Sequence, residues 1–512
     1  MKLKDSFSGK AKKAIDSYTV TVDAVPVTIK IKDVSGEPTP WYELVLPTLP
    51  PASRIILAAL KEEVAQRLPV DPEKITDPEQ AQLVREQYLD RIRSAVAEHF
   101  VSLDPKTAAT FAGILLHDVY GLGDLEFVLG DNFLEEVVIN GSKEPISVYH
   151  KKHGWCQTNL FIEDEEETKT FSAQIGRKIG RDITVLNPIM DAHLLTGDRV
   201  ASTLFPVSTA GNTITIRRFA RTPWTITHFL NEEYHNLSIE MAAFIWLAMQ
   251  YELNVIVAGG TASGKTSVLN TLCSFIPPKQ RIISVEDTRE IVLPETLRWN
   301  WVPMSSRNPN PEGQGEVKML DLIVAALRMR PDRIVVGEIR RSAQAEALFE
   351  AMHTGHSVYA TMHADTVQQV KRRLVEPPIA VPLAELEALH LIIVQFRDRR
   401  HGRRRLLELA EILQGSSAKG DLELNYLYRW KARSDTFEKV NESIRIFEEL
   451  NLHTGMTLQE IKQDLRDKER VLQWMLSQKM YDIEVVGRVM KMYYKEKEAL
   501  LQLVKGNKPL PR

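Results

Sequence analysis

The stretch from Gly259 to Ser267 reads GGTASGKTS and directly follows the apolar run Val255 to Ala258. In the pattern GxxxxGK[ST], the glycines let successive backbone N–H groups turn toward a phosphate. Lys265 then places an ammonium group against the β- and γ-phosphates, and the hydroxyl of Thr266 completes the coordination of Mg²⁺. The residues that follow are typical of a helix, whose N-terminal dipole adds to anion binding. The predicted nucleotide-binding residues are Gly259, Gly260, Thr261, Ala262, Ser263, Gly264, Lys265, Thr266 and Ser267.

Hydrolysis of a bound nucleotide also needs acids that hold Mg²⁺ and orient water. Two strand-like apolar runs end in such acids: Ile282 to Val285 precedes Glu286 and Asp287, and Arg333 to Gly337 precedes Glu338. Each strand would deliver its carboxylate to the edge of the sheet where the phosphate-binding loop lies. Acidic residues after strands also serve as helix caps, so either motif alone is open to that second interpretation.

Three histidines, His353, His356 and His363, fall within a short stretch further along the chain. A metal site is one interpretation, but the strand-like run Val358 to Met362 separates His356 from His363, and no cysteine or HxxxH spacing accompanies them. The other interpretation places His363 at the end of a third strand, where it donates a hydrogen bond to the γ-phosphate and responds to its loss. The pattern favours this sensor.

The elements that must position these residues alternate from residue 229 onward, with helical patterns separated by short β-rich runs. This order predicts an α/β fold with a mainly parallel sheet wrapped by helices over residues 229–512. Alternating apolar residues at Tyr18 to Val22 and Thr213 to Arg217 mix with helical spacing earlier in the chain. We therefore expect two N-terminal α+β subdomains, residues 1–105 and a PAS-like one at 106–220, joined to the C-terminal domain by a linker at 221–228.

Composition limits the classes of protein to consider. The chain has 512 residues, which favours two or three domains, and its net charge of −3 argues against a surface coated with positive charge for nucleic acid. Only Cys156 and Cys273 are present, so neither a disulfide framework nor a four-cysteine zinc site is expected. The N-terminus lacks the apolar core of a signal peptide, and no apolar run reaches the roughly 18 residues of a membrane span. We expect a cytoplasmic protein that associates with membranes only peripherally.

Four segments occur in the order GGTASGKT, VEDTREIVLP, LRMRPDRIVVGEIR and GHSVYATMHADT. They resemble the Walker A, Asp, Walker B and His boxes of the secretion ATPase superfamily, which powers type II and type IV secretion and type IV pili. Segments outside the boxes, such as EEVVINGSKEPISVYHKKHG and GDRVASTLFPVSTAGNTITIRRF, are similar to the archaeal branch, which assembles pili and the archaellum. The resemblance extends from about Gly121 to the C-terminal region and implies a RecA-like P-loop ATPase domain.

The resemblance implies roles for individual residues. Glu286 would position or deprotonate the attacking water, although the residues alone do not decide between Glu286 and Asp287. Glu338 would be the Walker B acid that acts on the metal, and His363 would sense the γ-phosphate. The predicted metal ligands are Thr266 and Glu338, and the predicted catalytic residues are Glu286, Glu338, Lys265, His363, Arg217 and Arg218.

The resemblance also implies a homohexamer that binds ATP and Mg²⁺ between the two halves of a subunit and near its neighbour. Arginines would then contact phosphate, since planar guanidinium suits that task. The candidates are Arg199, Arg217, Arg218, Arg328, Arg330 and Arg340, about half of which we expect to be ordinary ion pairs. Its partners would be a polytopic platform protein at the inner face of the cell membrane and, indirectly, pilin-like filament subunits; no nucleic-acid partner is expected.

Arginines also crowd around Gly402, from Arg397 to Arg405. A nucleic-acid site would use such charge, but no aromatic residues are interleaved, and a hairpin with an arginine-rich tip or a subunit contact is favoured. Two other functions stay open. A nucleic-acid translocase shares the phosphate loop, and a scaffold that binds nucleotide without hydrolysing it would share the acids.

Overall fold

The computed structural model describes residues 2–3, 11–67, 78–100, 103–178, 182–194, 197–218, 223–307, 309, 313–414 and 422–511. The chain divides into two compact units, Met1–Arg221 and Thr222–Arg512. Residues 219–222, which include the first two positions of the linker predicted at 221–228, lie outside the described residues.

The first unit is built on a largely antiparallel sheet whose strand order is β2-β3-β4-β7-β6-β5-β10-β9-β8, with β1 paired to β7. Alternation explains these strands: in β3, Val25, Val27, Ile29 and Ile31 are buried while the residues between them are more exposed. The strands are β1 Lys2–Leu3, β2 Ala11–Val22, β3 Val25–Val34, β4 Trp41–Val45, β5 Leu134–Asn140, β6 Pro145–His150, β7 Gly154–Phe161, β8 Ile189–His193, β9 Arg199–Thr203 and β10 Thr213–Arg217.

Helices of the first unit form a second small core beside the sheet. Leu60, Ile92, Val96 and Leu115, spaced for helices, are buried together there. The helices are α1 Pro51–Arg67, α2 Pro78–His99, α3 Pro105–Val119, α4 Leu125–Leu129 and α5 Glu165–Lys178.

The second unit carries a sheet in the order β13-β12-β14-β15-β11-β16-β17-β18-β19. Its first six strands are parallel, and the last three continue it antiparallel. The central strands are buried along their whole length, as their continuous apolar runs require. The strands are β11 Val255–Gly259, β12 Ile282–Glu286, β13 Trp301–Ser305, β14 Arg333–Val336, β15 Ser357–Met362, β16 Leu391–Asp398, β17 Arg403–Gln414, β18 Leu422–Lys431 and β19 Thr436–Lys439.

Helices cover this sheet and close the chain. A capping box is present at Thr457 and Glu460, where each side chain accepts from the other residue's backbone N–H. The helices are α6 Ile226–Leu230, α7 Ile239–Gln250, α8 Lys265–Cys273, α9 Glu295–Arg298, α10 Met319–Leu327, α11 Ser342–His353, α12 Val367–Val375, α13 Arg445–Thr454, α14 Leu458–Ser477, α15 Ile483–Lys495 and α16 Lys497–Lys505, with a 3₁₀ turn at Leu383–Ala388.

The predicted fold class is confirmed: an α/β C-terminal part with a mainly parallel sheet follows an N-terminal α+β part. Among the helices described, none combines the length and apolar character that crossing a bilayer requires.

Candidate active site

The parallel strands place the predicted motifs at one edge of the second sheet. Strands β12, β14, β15 and β11 are neighbours, and all four run in the same direction. Their carboxyl ends therefore lie side by side, and the residues that follow them, among them Gly260, Glu338 and His363, meet at this edge.

The phosphate loop has the conformation that its glycines permit. Gly264 caps helix α8 with a φ of 95°, in the left-handed region that favours glycine. A side chain at Gly259 would collide with the carbonyl oxygen of Gln395, its partner on β16. Ser263 is buried, and its Oγ has no hydrogen-bond partner among the residues that the structure describes. The loop thus combines close packing with a buried hydroxyl group available to a ligand.

Lys265 lies inside this loop, 8% exposed. Its Nζ donates to the carbonyl oxygen of Gly260 at 3.1 Å and lies 3.2 Å from Nδ1 of His363. Burial, together with the charge of Lys265, lowers the pKa of His363 below its usual value. The two residues predicted to contact the terminal phosphates are therefore in direct contact.

A chain of polar contacts continues from His363 to the acids. Its Nε2 lies 3.0 Å from Oε1 of Glu338. The other oxygen of Glu338 accepts from Nε and Nη2 of Arg340 at 2.9 and 2.7 Å, and Nη1 of Arg340 donates to Asp287 at 2.7 Å. The structure thus brings Lys265, His363, Glu338, Arg340 and Asp287 into one network.

Glu286 differs from its neighbour Asp287. It is 1% exposed, and its Oε1 accepts from the backbone N–H groups of Glu290 and Ile291 at 2.8 and 3.0 Å. Burial raises the pKa of Glu286 to about 7. Its Oε2 is buried without a hydrogen-bond partner within the described part of the chain. Oε1 of Glu286 therefore stabilises the loop that follows β12, and Oε2 is available for a further contact.

The three histidines point to different partners. Nε2 of His353 lies 2.8 Å from Glu385, and Nδ1 of His356 lies 3.1 Å from the hydroxyl of Thr354. Within the described ranges, no group of three or more His, Cys, Asp or Glu side chains is placed to hold a metal ion.

The predicted arginines fall in both units. Arg340 belongs to the network of acids, whereas Arg199, Arg217 and Arg218 belong to the first unit. There Arg199 pairs with Asp191 at 2.6 Å, and Arg218 donates to the backbone carbonyl oxygen of Asp131. Arg217 ends β10, in register with Arg199 on β9. Arg328 and Arg330 are exposed just after α10.

Two further arginines at this edge are not identified by the sequence motifs. Arg373, on α12, donates to the backbone carbonyl oxygen of His363. Arg404, on β17, donates from Nε to the carbonyl oxygen of Ala262 at 3.4 Å. The arginine-rich run around Gly402 was a signal for Arg404, but only the folding of the β16–β17 hairpin beside β11 relates it to the phosphate loop.

A family model described as "Type II/IV secretion system protein" matches residues 196–409, which include the phosphate loop and the acids. The chain belongs to this type II/IV secretion family, as the order of its four boxes predicted.

Individual relatives are similar to this chain to different extents. The chain is 32% identical over 441 residues to "Uncharacterized protein MJ0900" of Methanocaldococcus jannaschii, which covers 85% of this chain and 78% of that protein. It is 29% identical over 293 residues to "Type IV secretion system protein PtlH" of Bordetella pertussis, covering 51% of this chain and 86% of PtlH. Among solved structures, the Yersinia pseudotuberculosis ATPase DotB is similar at 19% identity and a TM-score of 0.41, covering 72% of this chain and 92% of DotB.

Proposed function

We propose that this chain is a Mg²⁺-dependent ATP hydrolase that works as the motor of a secretion or filament-assembly machine. The observation that carries the proposal is the continuous network from Lys265 in the phosphate loop through His363 to Glu338. Family membership supports the same conclusion. A bound triphosphate would contact both Lys265 and His363. Glu338 would lie next to it, through its own contact with His363.

The residues present fit both ATP and Mg²⁺. The buried hydroxyl of Ser263 and the cap of α8 at Gly264 suit a phosphate, which accepts hydrogen bonds from such groups. Thr266 and Glu338 supply oxygen ligands, the kind that Mg²⁺ prefers. When bound, Mg²⁺ neutralises the charge that develops on the transferred phosphoryl group.

Hydrolysis then assigns a task to each side chain. Water attacks the γ-phosphorus, the bond to the β–γ bridging oxygen breaks, and ADP leaves with that oxygen. The water proton goes to a carboxylate, and Glu286, with its pKa raised to about 7, suits proton acceptance near neutral pH. His363 would donate to the γ-phosphate and lose that partner when phosphate departs, so its contact with Lys265 or Glu338 can report turnover.

The decisive experiment measures phosphate release by the full chain with Glu338→Gln. We expect turnover to fall by about 10²- to 10⁴-fold while binding of a fluorescent ATP analogue persists. Lys265→Ala is the matched control, because it should abolish binding as well. A wild-type chain that binds the analogue but releases no phosphate would instead identify a scaffold that uses nucleotide only for assembly, and unchanged turnover in Glu338→Gln would show that Glu338 is not catalytic.

We further propose a hexamer that transmits the cycle from the inner face of the cell membrane to a polytopic platform protein, and so drives a type IV pilus-like or archaellum filament or type II-like secretion. The similarity to archaeal relatives and to PtlH supports this proposal. Capture of the native complex from membranes tests it, since the integral protein and filament subunit that copurify identify the machine. Stimulation of turnover by DNA with a steep salt dependence would favour a translocase instead.

A further inference from the structure

The hairpin of β16 and β17 stands beside the phosphate loop because β16 is the parallel neighbour of β11, from which that loop emerges. Gly259 is in register with Gln395, so the hairpin continues past the sheet edge next to the loop. Arg404 on this hairpin is half-buried, donates to Ala262 at 3.4 Å, and places its Cδ 3.6 Å from where a Cβ on Gly264 would lie. Its guanidinium is therefore fixed against the loop.

A second arginine is paired with Arg404 on the hairpin. Arg397 on β16 is directly opposite Arg404 in the antiparallel ladder, so both side chains leave the same face of the hairpin. Two positive charges on this face of the hairpin, which adjoins β11, favour an anion bound in the phosphate loop.

Neighbouring residues fix the backbone of β17 at Arg404. The backbone carbonyl oxygen of Arg404 accepts from Asn236, whose own carbonyl oxygen accepts from the N–H of Leu406. Arg405, which is buried, binds Asp435 through Nε and Nη2 at 2.7 and 2.8 Å. These contacts fix the strand on both sides of Arg404, so its side chain is presented to the loop at little cost in entropy.

We propose that Arg404 is a further phosphate-binding residue, whose guanidinium contacts a phosphate oxygen of the nucleotide held by the phosphate loop. The inference rests on the proposed function, because it needs a nucleotide in that loop. It lies outside the four sequence boxes and adds a positive group from the hairpin side.

The test titrates a fluorescent, non-hydrolysable ATP analogue into the full chain with Mg²⁺ and follows fluorescence anisotropy. We expect Arg404→Gln to weaken binding by about 10- to 100-fold, as loss of a charge-assisted hydrogen bond would. Arg404→Lys, which keeps the charge, should bind more tightly than Arg404→Gln. Arg400→Gln, which changes an exposed arginine at the tip of the same hairpin, should bind as the wild type does.

Two results would overturn the inference: Arg404→Gln binding within about threefold of the wild type, or Arg404→Lys binding as weakly as Arg404→Gln. The second result would mean that Arg404 only shapes the loop. If the wild-type chain itself fails to bind the analogue, the proposed function fails and this inference with it. If the wild type binds the analogue and Lys265→Ala does not, the nucleotide site is present, and the Arg404 variants alone decide the inference.

Discussion

Two clusters of charged side chains in the second unit differ in how far they are buried. At the sheet edge, His363, Glu338, Arg340 and Asp287 form one network whose arginine side chain is 54% exposed. Among the C-terminal helices, Asp464 binds Lys468, Lys497 and the hydroxyl of Tyr493, and the side chain of Lys468 is fully buried.

Burial explains why one cluster keeps its partners while the other can exchange them for a ligand. Lys468 also stands over the rings of Trp246 and Tyr493, at 5.5 and 5.0 Å, and burial lowers its pKa. Such a cation cannot exchange its partners without a large desolvation cost. The partly exposed groups at the sheet edge can trade Arg340 or His363 for a ligand at small cost. Ion pairs alone therefore do not mark a site; solvent access at the edge of a parallel sheet does.

The largest expected effect tests the helical cluster. Asp464→Asn keeps the shape of the side chain but leaves Lys468 buried without its counter-charge, so we expect the second unit to lose about 3–5 kcal/mol of stability. Differential scanning calorimetry of the full chain should show the lower unfolding temperature. Glu376→Gln, which removes the exposed pair with Arg372, is the control and should cost less than about 0.5 kcal/mol. Equal effects in both variants would break the comparison.

The next prediction concerns how the stability contributed by Glu286, unlike that of the exposed acids, depends on pH. Its pKa rises from 4.5 to about 7 on folding, which corresponds to about 3 kcal/mol. The native state therefore binds the proton more tightly, and this group's contribution to stability is present below pH 4.5 and lost as pH rises to about 7.

Glu286→Gln removes this dependence. Without nucleotide or Mg²⁺, the unfolding temperature of this variant relative to the wild type should rise between pH 5 and pH 8, since a neutral amide at this position carries no cost of ionisation. Comparison with the wild type cancels the titration of other groups. A constant difference across this range would show that the buried carboxylate is not protonated on folding.

The smallest effect concerns the network at the sheet edge. Arg340→Ala removes the contacts to Glu338 and Asp287, but these are partly solvated, so the free energy of unfolding should change by at most about 1 kcal/mol. Urea unfolding measures this change. A loss above about 2 kcal/mol would place this network with the structural cluster of Asp464 rather than with exchangeable site residues.

Local sequence patterns predicted much of the fold and several parts of the candidate site. The apolar runs before Gly259, Glu286 and Glu338 form buried strands, because a strand covered on both faces must be apolar throughout. The capping box at Thr457 and the strand ending at Arg217 follow equally local rules. The assigned catalytic roles and the domain boundaries stay predictions.

Local sequence patterns did not predict the contacts between residues that follow different strands of the sheet. The sequence separates Lys265 from His363 by 98 positions and Ala262 from Arg404 by 142. Spacing along the chain carries no information on which parallel strands become neighbours, and the strand order β12-β14-β15-β11-β16 decides it.

By itself, the sequence determined the phosphate loop, the acids at strand ends, the fold class and the family, because each depends on residues close together in the chain. Only the tertiary structure decided that His363 bridges Lys265 and Glu338, that Glu286 is buried while Asp287 faces Arg340, and that Arg404 reaches the loop. Those facts depend on strand order and on burial, which arise when distant segments pack together.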